Sequence, residues 1–303
     1  MRMGQPPNVT IVILNWNGLA DTRECLHSLQ AVRYGAMRVL VVDNGSRRDE
    51  ASDLESEFGS FIEVMRLPRN VGFAGGANAG MRKALANGTE YVVLLNNDTI
   101  VAPTFLEALV DAANERPDLA AACPRTNFYD NPSVIYSTGG EVSIWRAVAT
   151  QVGRGEADNG KYNAIERRGY ADGVCMLIPA SALEKVGLLD EQYFAYWEET
   201  DWCVRAREHG LYCYYVPLSR IWHKAARSQN PDPGFDYLYR RNALLFVRKR
   251  GTPLQFATAL LLQAFVYAPA YIVRNPTRIG RIVAAVRALF WHTRNQPKQR
   301  PLV

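Results

Sequence analysis

Residues 91–101 read YVVLLNNDTIV, an apolar run that ends abruptly in Asn96-Asn97-Asp98. Val and Leu in such a run suit a strand covered on both faces. Two amides and a carboxylate at its carboxyl end do not belong in a core, and that end is where open α/β sheets bind ligands. Asp98 there suits a metal, a sugar hydroxyl or a nucleotide; an Asn/Asp turn is the plainer account. A second run, VVDNGS, ends in Asp43, which can accept from a base N–H or ribose hydroxyls, or simply make a turn. Arg69–Gly80, RNVGFAGGANAG, is a glycine-rich lead into a helix, suited to close backbone approach and to phosphate. It follows a third strand, lacks the spaced acid of a dinucleotide fingerprint, and lacks the GK[ST] of an ATPase loop. Tyr196–Trp202, YWEETDW, crowds Glu198, Glu199 and Asp201 beside aromatics. Such carboxylates raise one another's proton affinity, which prepares a general base; acids favoured at a helix N-terminus are the other account. His223, in IWHK, is either a packed histidine or a partner for Asp98 on a divalent ion.

These residues need a frame that brings strand ends together. Val9–Leu14, Met37–Val42, Ile62–Leu67 and Tyr91–Leu95 have the length and composition of buried strands. Helical patterns lie between and after them, over Leu19–Ala31, Glu50–Phe58, Ala74–Ala86 and Pro103–Glu115, with Pro103 suited to a first turn. Strand alternating with helix implies a parallel sheet with right-handed crossovers. Residues 126–170 read as an irregular, Gly-rich insertion or small hairpins. Helices follow near Ser181–Val186 and Glu199–Glu208, then a strand at Leu211–Val216.

The five cysteines show no paired spacing and read as reduced, packed thiols of a cytosolic protein, without a disulfide frame or zinc site. The stretch MRMGQPPNV has no apolar core of a signal peptide. Charge is strongly asymmetric. Residues 237–303 hold twelve Lys/Arg and no acid, leaving 23 basic against 30 acidic side chains in residues 1–236. Such a tail seeks an anionic partner. Gly251–Val273 carries no charge and is long enough to span a bilayer, but basic clusters on both sides disfavour a single span. Ile279, Ile282, Val283, Val286, Leu289 and Phe290 then recur at helical spacing, with Arg278, Arg281 and Arg287 at the edges of the stripe. That is the pattern of a helix lying in a membrane interface with snorkelling arginines; a C-terminal helix packed on the body is the alternative. The tail is too apolar for nucleic acid.

In order along the chain, IVILNWNG, VVDNGS, RNVGFAGGANAG, LLNNDTIV, GVCMLIP, FAYWEETDWCVRAREHG and IWHKA resemble the blocks of glycosyltransferase family 2, over roughly residues 8–250. The nearest branch is the bacterial rhamnosyltransferase-like enzymes of cell-surface polysaccharide assembly. The resemblance implies an α/β GT-A fold, with a mostly parallel Rossmann-like sheet flanked by helices, followed by the amphipathic helical tail. Residues 1–236 would be the catalytic domain, with a nucleotide-sugar half to about 125 and an acceptor half over 126–236; residues 237–303 would be the membrane-association tail. It implies that Asp43, Asn15, Asn70, Gly72 and Asn78 line the nucleotide and diphosphate region. Asn96, Asn97 and Asp98 would lie at the donor, with Asp98 and His223 ligating Mn²⁺ or Mg²⁺. Glu199 would be the base, and Asp172, Gly173, Trp197, Glu198 and Trp222 would face the donor sugar or acceptor. The metal motif has one carboxylate where two are common, so coordination leans on His223 and the diphosphate. The base is Glu where Asp is usual, which keeps Glu198 and Asp201 as alternatives.

The implied reaction is inverting transfer of a sugar, best dTDP-L-rhamnose with UDP-sugars open, to a glycan or lipid-linked glycan. The implied location is cytoplasmic, peripheral on the inner face of the cell membrane. A nucleotidyltransferase would want a basic, Gly-rich loop after the first strand, where this chain has Asn15-Trp16-Asn17-Gly18. A non-catalytic membrane-associated binding protein is a further alternative, and glycine placement disfavours an NAD-dependent oxidoreductase.

Overall fold

Four apolar strands alternate with three helices through the first hundred residues: β1 (Val9–Asn15), α1 (Leu19–Gln30), β2 (Met37–Asp43), α2 (Glu50–Phe58), β3 (Ile62–Arg66), α3 (Gly72–Ala86) and β4 (Tyr91–Asn96). The structure is a computed structural model, and it describes residues 6–225, 233–274 and 279–294. These strands form the parallel order β3-β2-β1-β4, and Asn15 lies in register with Asp43. The strand ends named in the motifs therefore meet at one edge.

A short strand β5 (Thr99–Val101) and helix α4 (Phe105–Asn114) follow; Pro103 lies in the turn before α4 rather than in its first turn. Then come β6 (Leu119–Phe128), β7 (Ile135–Ser137), the hairpin β8 (Gly140–Ser143) and β9 (Val148–Gln151), and β10 (Glu166–Arg168). The Gly-rich insertion thus holds short strands, one hairpin among them, joined by irregular segments. After them run β11 (Cys175–Pro179), α5 (Ala180–Val186), α6 (Glu198–Glu208) and β12 (Tyr212–His223). Strand β11 sits antiparallel between β4 and β6, while β12 runs parallel to β6, so the second half of the sheet is mixed. Strand β12 continues seven residues past the apolar run that marks it in the sequence. Pairing with β5 carries it on and sets His223 opposite Thr99, next to Asp98.

Period-two alternation splits the core between the two sheet faces. Ile11, Ile13, Val39, Val41 and Val93 pack with Leu26, Leu54 and Phe105 on one face. Val12, Leu40, Val42 and Leu94 meet Met81 of α3 and Trp202 of α6 on the other. All five cysteines are buried free thiols in this packing.

The tail starts with α7 (Pro233–Arg250), whose Ala243, Leu244, Leu245, Phe246 and Val247 are buried with Tyr193 and Trp197 of the body. A capping box from Thr252 and Gln255 opens α8 (Pro253–Leu262). Through a wider turn over Gln263–Tyr267 this helix continues into α9 (Ala268–Arg274), and α10 (Ile279–Arg294) lies back on α7. Helix α10 packs through Ala284, Ala288 and His292, whereas Val283, Val286 and Phe290 of the predicted stripe face solvent. Burial pushes the His292 imidazole down to about 4, so it is neutral where its Nε2 donates to the Arg241 carbonyl. Pro253–Tyr271 is long and apolar enough to cross a membrane by length and composition, and it exposes Leu254, Leu261 and Phe265. Arg278, Lys298 and Arg300 lie outside the described residues, as do the side chains of Arg274, Arg281, Arg294, Ile279 and Ile282.

Part of the glycine-rich motif serves packing. A Cβ at Gly80 would lie 2.3 Å from Cγ1 of Val12, a fully buried strand residue. Gly80→Ala gains about 1 kcal/mol of helix propensity but overpacks the α3–β1 contact at about 1–3 kcal/mol. The net expected result is a lower urea midpoint at unchanged m-value; an equal or higher midpoint would refute the close-packing role.

Candidate active site

The nucleotide-side motifs converge on Asn15. Its amide donates to Glu50 at 2.8 Å and Asp43 at 3.2 Å, and its carbonyl oxygen accepts from Thr22 at 2.8 Å. Ser46 also donates to Asp43. Asn15 is fully buried, so it fixes the two carboxylates rather than presenting itself to a ligand. Glu50, which also accepts from the Gly18 amide, escaped the sequence reading. It is the first residue of α2, and a first-turn acid has an ordinary helical explanation.

Asn70 and Gly72 shape the neighbouring turn. Asn70 accepts from the Gly72 amide at 2.8 Å and from Asn44, whose side chain also donates to the Gly72 carbonyl and accepts from the Val71 amide. Gly72 has φ +82°, and a Cβ there would meet the Phe194 carbonyl oxygen at 2.4 Å. The glycine-rich turn therefore abuts the loop before α6. Asn78 lies apart from the strand ends. Its buried amide donates to the Leu189 carbonyl and Glu191 and accepts from the Leu189 amide, so it ties α3 to that segment.

At the end of β4 the backbone N–H of Asn96 donates to the Val174 carbonyl, and the Asn97 side chain donates to the Thr22 hydroxyl at 2.9 Å. Asp98 Oδ1 and His223 Nε2 face each other at 3.1 Å, and His223 Nδ1 is buried without a partner. A carboxylate beside an imidazole fits Mn²⁺ or a similar ion. Among the described residues no third His, Cys, Asp or Glu joins them, so any bound ion would take its remaining ligands from substrate and water.

A chain of contacts links this pair to the acid cluster. The Tyr136 ring packs edge-on against His223 at 4.5 Å, and the Arg154 guanidinium lies 4.4 Å from the Tyr136 ring centre. Arg154 donates to Gln151, and Gln151 donates to Asp172. Asp172 also accepts from the Val174 amide, and Gly173 lies against Glu199, where a Cβ would sit 3.3 Å from Cγ. Tyr136, Gln151 and Arg154 come from the insertion and carried no sequence signal, because their neighbours in the chain are not their neighbours in space.

The three acids of α6 have distinct surroundings. Asp201 is fully buried and accepts from Tyr193 at 3.0 Å, Arg205 at 3.1 Å and Arg250 at 2.7 Å. Its oxygens are committed to the scaffold. Burial, with the adjacent Glu199 charge, pushes Glu198 well above the carboxylate range; its Oε2 has no partner, so it is held as the acid. Burial pushes Glu199 up to about 7, helped by the Asp172 charge and moderated by backbone amides and the Thr200 hydroxyl. Glu199 is only partly buried, and its pKa suits proton transfer near neutral pH.

The loop leading into α6 is strained: Phe194, Tyr196 and Trp197 have φ of +66°, +70° and +77°. Non-glycine residues in this region cost about 1–3 kcal/mol each. Trp197 is buried against Phe246 and Tyr239, which takes it out of the role of a sugar platform. The exposed aromatics at this point are Phe194, Tyr196 and Tyr239; burial of the Tyr239 hydroxyl, with the nearby Glu199 charge, raises its pKa. Trp222 is half-buried on β12, opposite Ile100 of β5.

This frame, with ligand-facing strand ends and a raised carboxylate across a short turn, is that of a GT-A glycosyltransferase. Residues 10–187 match the family model of glycosyl transferase family 2, and the chain belongs to that family. Over 266 residues it is 21% identical to the dTDP-rhamnosyl transferase RfbF of Shigella flexneri, covering 80% of this chain and 81% of that protein. It is 28% identical over 231 residues to an N-acetylglucosaminyl-diphospho-decaprenol L-rhamnosyltransferase of Mycobacterium tuberculosis, covering 69% and 73%. The aligned part spans from 63% to 81% of the length of the first curated relatives. In fold it is similar to the mannosyltransferase PcManGT of Pyrobaculum calidifontis, solved with GDP-Man and Mn²⁺, at TM-score 0.60 and 16% identity, covering 97% of this chain and 77% of that one.

Proposed function

We propose that this glycosyltransferase moves L-rhamnose from dTDP-rhamnose, with inversion, to a hydroxyl of a lipid-linked glycan at the inner face of a membrane. The observation that carries the catalytic reading is Glu199, a carboxylate raised to about 7, resting on Gly173, whose neighbour Val174 is hydrogen-bonded to the last residue of β4. The rhamnosyltransferase names of two relatives support the sugar, and the decaprenol-linked substrate named for one supports the acceptor class.

Asp43 receives the nucleoside, with Asn15 and Ser46 holding its carboxylate still. Asp98 and His223 hold a divalent ion, which when bound supplies Lewis-acid stabilisation of the leaving diphosphate. Glu199 accepts the proton of the acceptor hydroxyl as that oxygen bonds to the anomeric carbon. The carbon–oxygen bond to the diphosphate breaks on the opposite side, and the nucleoside diphosphate leaves. Glu198, kept protonated, adds no second negative charge beside the base. Tyr196 and Tyr239, rather than Trp197, offer apolar faces to the acceptor.

The active form of Glu199 is deprotonated, so kcat/KM should rise with pH and level off above about 7. Glu199→Gln should cut kcat about 10²–10⁴-fold with donor affinity retained. The same raised pKa opposes folding once the carboxyl ionises. Its stabilising contribution is complete below the unfolded value of 4.5 and is lost as pH rises through about 7. Glu199→Gln should therefore gain Tm relative to wild type between pH 5 and 8. Wild-type turnover in the variant would remove Glu199 from the mechanism.

Chelation should abolish transfer, and Mn²⁺ or Mg²⁺ should restore it. Asp98→Asn should raise the metal concentration required by at least about tenfold. Full activity after exhaustive chelation would exclude the metal role of Asp98 and His223.

The exposed residues of the tail support membrane contact. Phe265 and Phe290 are 74% and 62% exposed. Each adds about 1.5 kcal/mol or more when buried in lipid, and each nearby basic residue adds about 1 kcal/mol at an anionic surface. Phe265→Asp with Phe290→Asp should reduce sedimentation with phosphatidylglycerol vesicles without lowering Tm. Undiminished sedimentation would rule out this face as the membrane contact.

A further inference from the structure

The strained loop before α6 is held from a direction the reaction itself does not explain. Asn242 of α7 is fully buried, and its Nδ2 donates to the carbonyls of Tyr193 at 2.8 Å, Ala195 at 2.7 Å and Tyr196 at 2.7 Å. Two amide hydrogens are thus shared among three carbonyls of one loop. Its Oδ1 accepts from Arg241 Nε at 2.8 Å and from Nη2, which orients the amide. The Arg241 guanidinium also donates to the carbonyls of Gln192 at 2.9 Å and Tyr193 at 2.7 Å. Above them, His292 of α10 donates to the Arg241 carbonyl at 3.0 Å.

We propose that Arg241 and Asn242 are positioning residues: from the tail helix they hold the Tyr193–Trp197 loop, with its positive φ at Phe194, Tyr196 and Trp197, and so set the direction of Glu199. Trp197 immediately precedes α6, whose first two residues are Glu198 and Glu199. Without the Asn242 donors, the carbonyls of Tyr193, Ala195 and Tyr196 would each lose a hydrogen bond from the tail, which is costly, and the Tyr193 carbonyl alone would keep Arg241. The loop would then relax towards negative φ and turn the start of α6. Glu199 is surrounded by Glu198 and Thr200 of α6, by Asp172 and Tyr170 ahead of β11, and by Tyr239 of α7. Loosening the loop admits water among these groups and lowers the pKa of Glu199. The first turns of the tail are on this account part of the catalytic machinery. The inference rests on Glu199 being the base.

The test uses the full chain with Asn242→Ala, Arg241→Ala and Arg241→Lys. Asn242→Ala should lose about 100-fold in kcat, with donor KM within about threefold. The acid limb of its kcat/KM profile should move down by about one pH unit or more. Affinity for the nucleoside, which the proposed reading assigns to Asp43 in the Asn15–Ser46–Glu50 network away from the loop, should stay unchanged and report a folded protein. Arg241→Lys, which keeps a donor, should retain more activity than Arg241→Ala. Wild-type kcat with an unmoved acid limb overturns the proposal. So does a loss of kcat accompanied by equal loss of nucleotide affinity with the limb unmoved. If Asn242→Ala does not melt cooperatively, the Arg241 pair decides by the same readouts. If the wild-type chain transfers no sugar and Glu199→Gln changes nothing, the catalytic reading fails on its own. Hydrogen exchange at Ala195, Tyr196 and Trp197 then still tests the loop: exchange as slow in Asn242→Ala as in wild type overturns it.

Discussion

Asp201 is the interaction on which the acceptor half depends. It is fully buried and takes hydrogen bonds from Tyr193 ahead of α6, from Arg205 within α6 and from Arg250 at the end of α7. An isolated charge at this depth would be prohibitive, so the arrangement holds only while all three elements meet. One carboxylate thereby joins the catalytic helix, the loop before it and the first tail helix. Lys249, bonded to Asp190, makes a second tie between the same elements. The tail cannot be an independent appendage over α7, because α7 supplies part of the charge balance of the body.

That commitment of Asp201 is what separates three neighbouring acids into three roles. They lie within four residues, and composition cannot rank them. Helical geometry sends Asp201 inward to two guanidiniums. Glu198 is enclosed without a cation and stays protonated, while Glu199 turns to the partly open side against Gly173. Gly173 matters here as space: any side chain would compete with Glu199 for its position. A protonated Glu198 also keeps a further negative charge, beyond those of Glu199 and Asp172, away from the place where a hydroxyl proton must be received.

The frame was legible in the sequence because buried parallel strands announce themselves. Uniform apolar runs at β1, β2 and β4 leave few other structures open, and α2 begins and ends where its pattern does. Strand-end polar residues were legible for the same reason, since Asp43 and Asp98 interrupt those runs. What was not legible are contacts made across long chain separations. Arg241 and Arg250 read as charges of a basic tail seeking an anionic partner, Asn242 carried no signal, and only the folded chain turns them inward. The apolar stripe at Val283, Val286 and Phe290 read as a face for a membrane interface, with packing on the body as the alternative, and α10 packs instead through small alanines and a neutral His292. Alanine allows close helix approach, and periodicity in large side chains does not detect it. Trp197 misled because aromatic composition does not tell a core ring from an exposed one; its left-handed backbone turns it under Tyr239.

The single carboxylate of Asn96-Asn97-Asp98 bears on the proposed metal in a similar way. Asp98 offers one charge and His223 none, and among the described residues nothing else of that chemistry lies with them. Such a pair holds a hard divalent ion weakly in water, where hydration competes well. The diphosphate of a donor would supply both the missing charge and the missing oxygens, so under the proposed reading ion and donor bind as mutually dependent partners. Asn97, whose side-chain amide donates to Thr22, then acts by fixing the backbone that presents Asp98. An amide can do that without adding charge that the leaving diphosphate would have to meet.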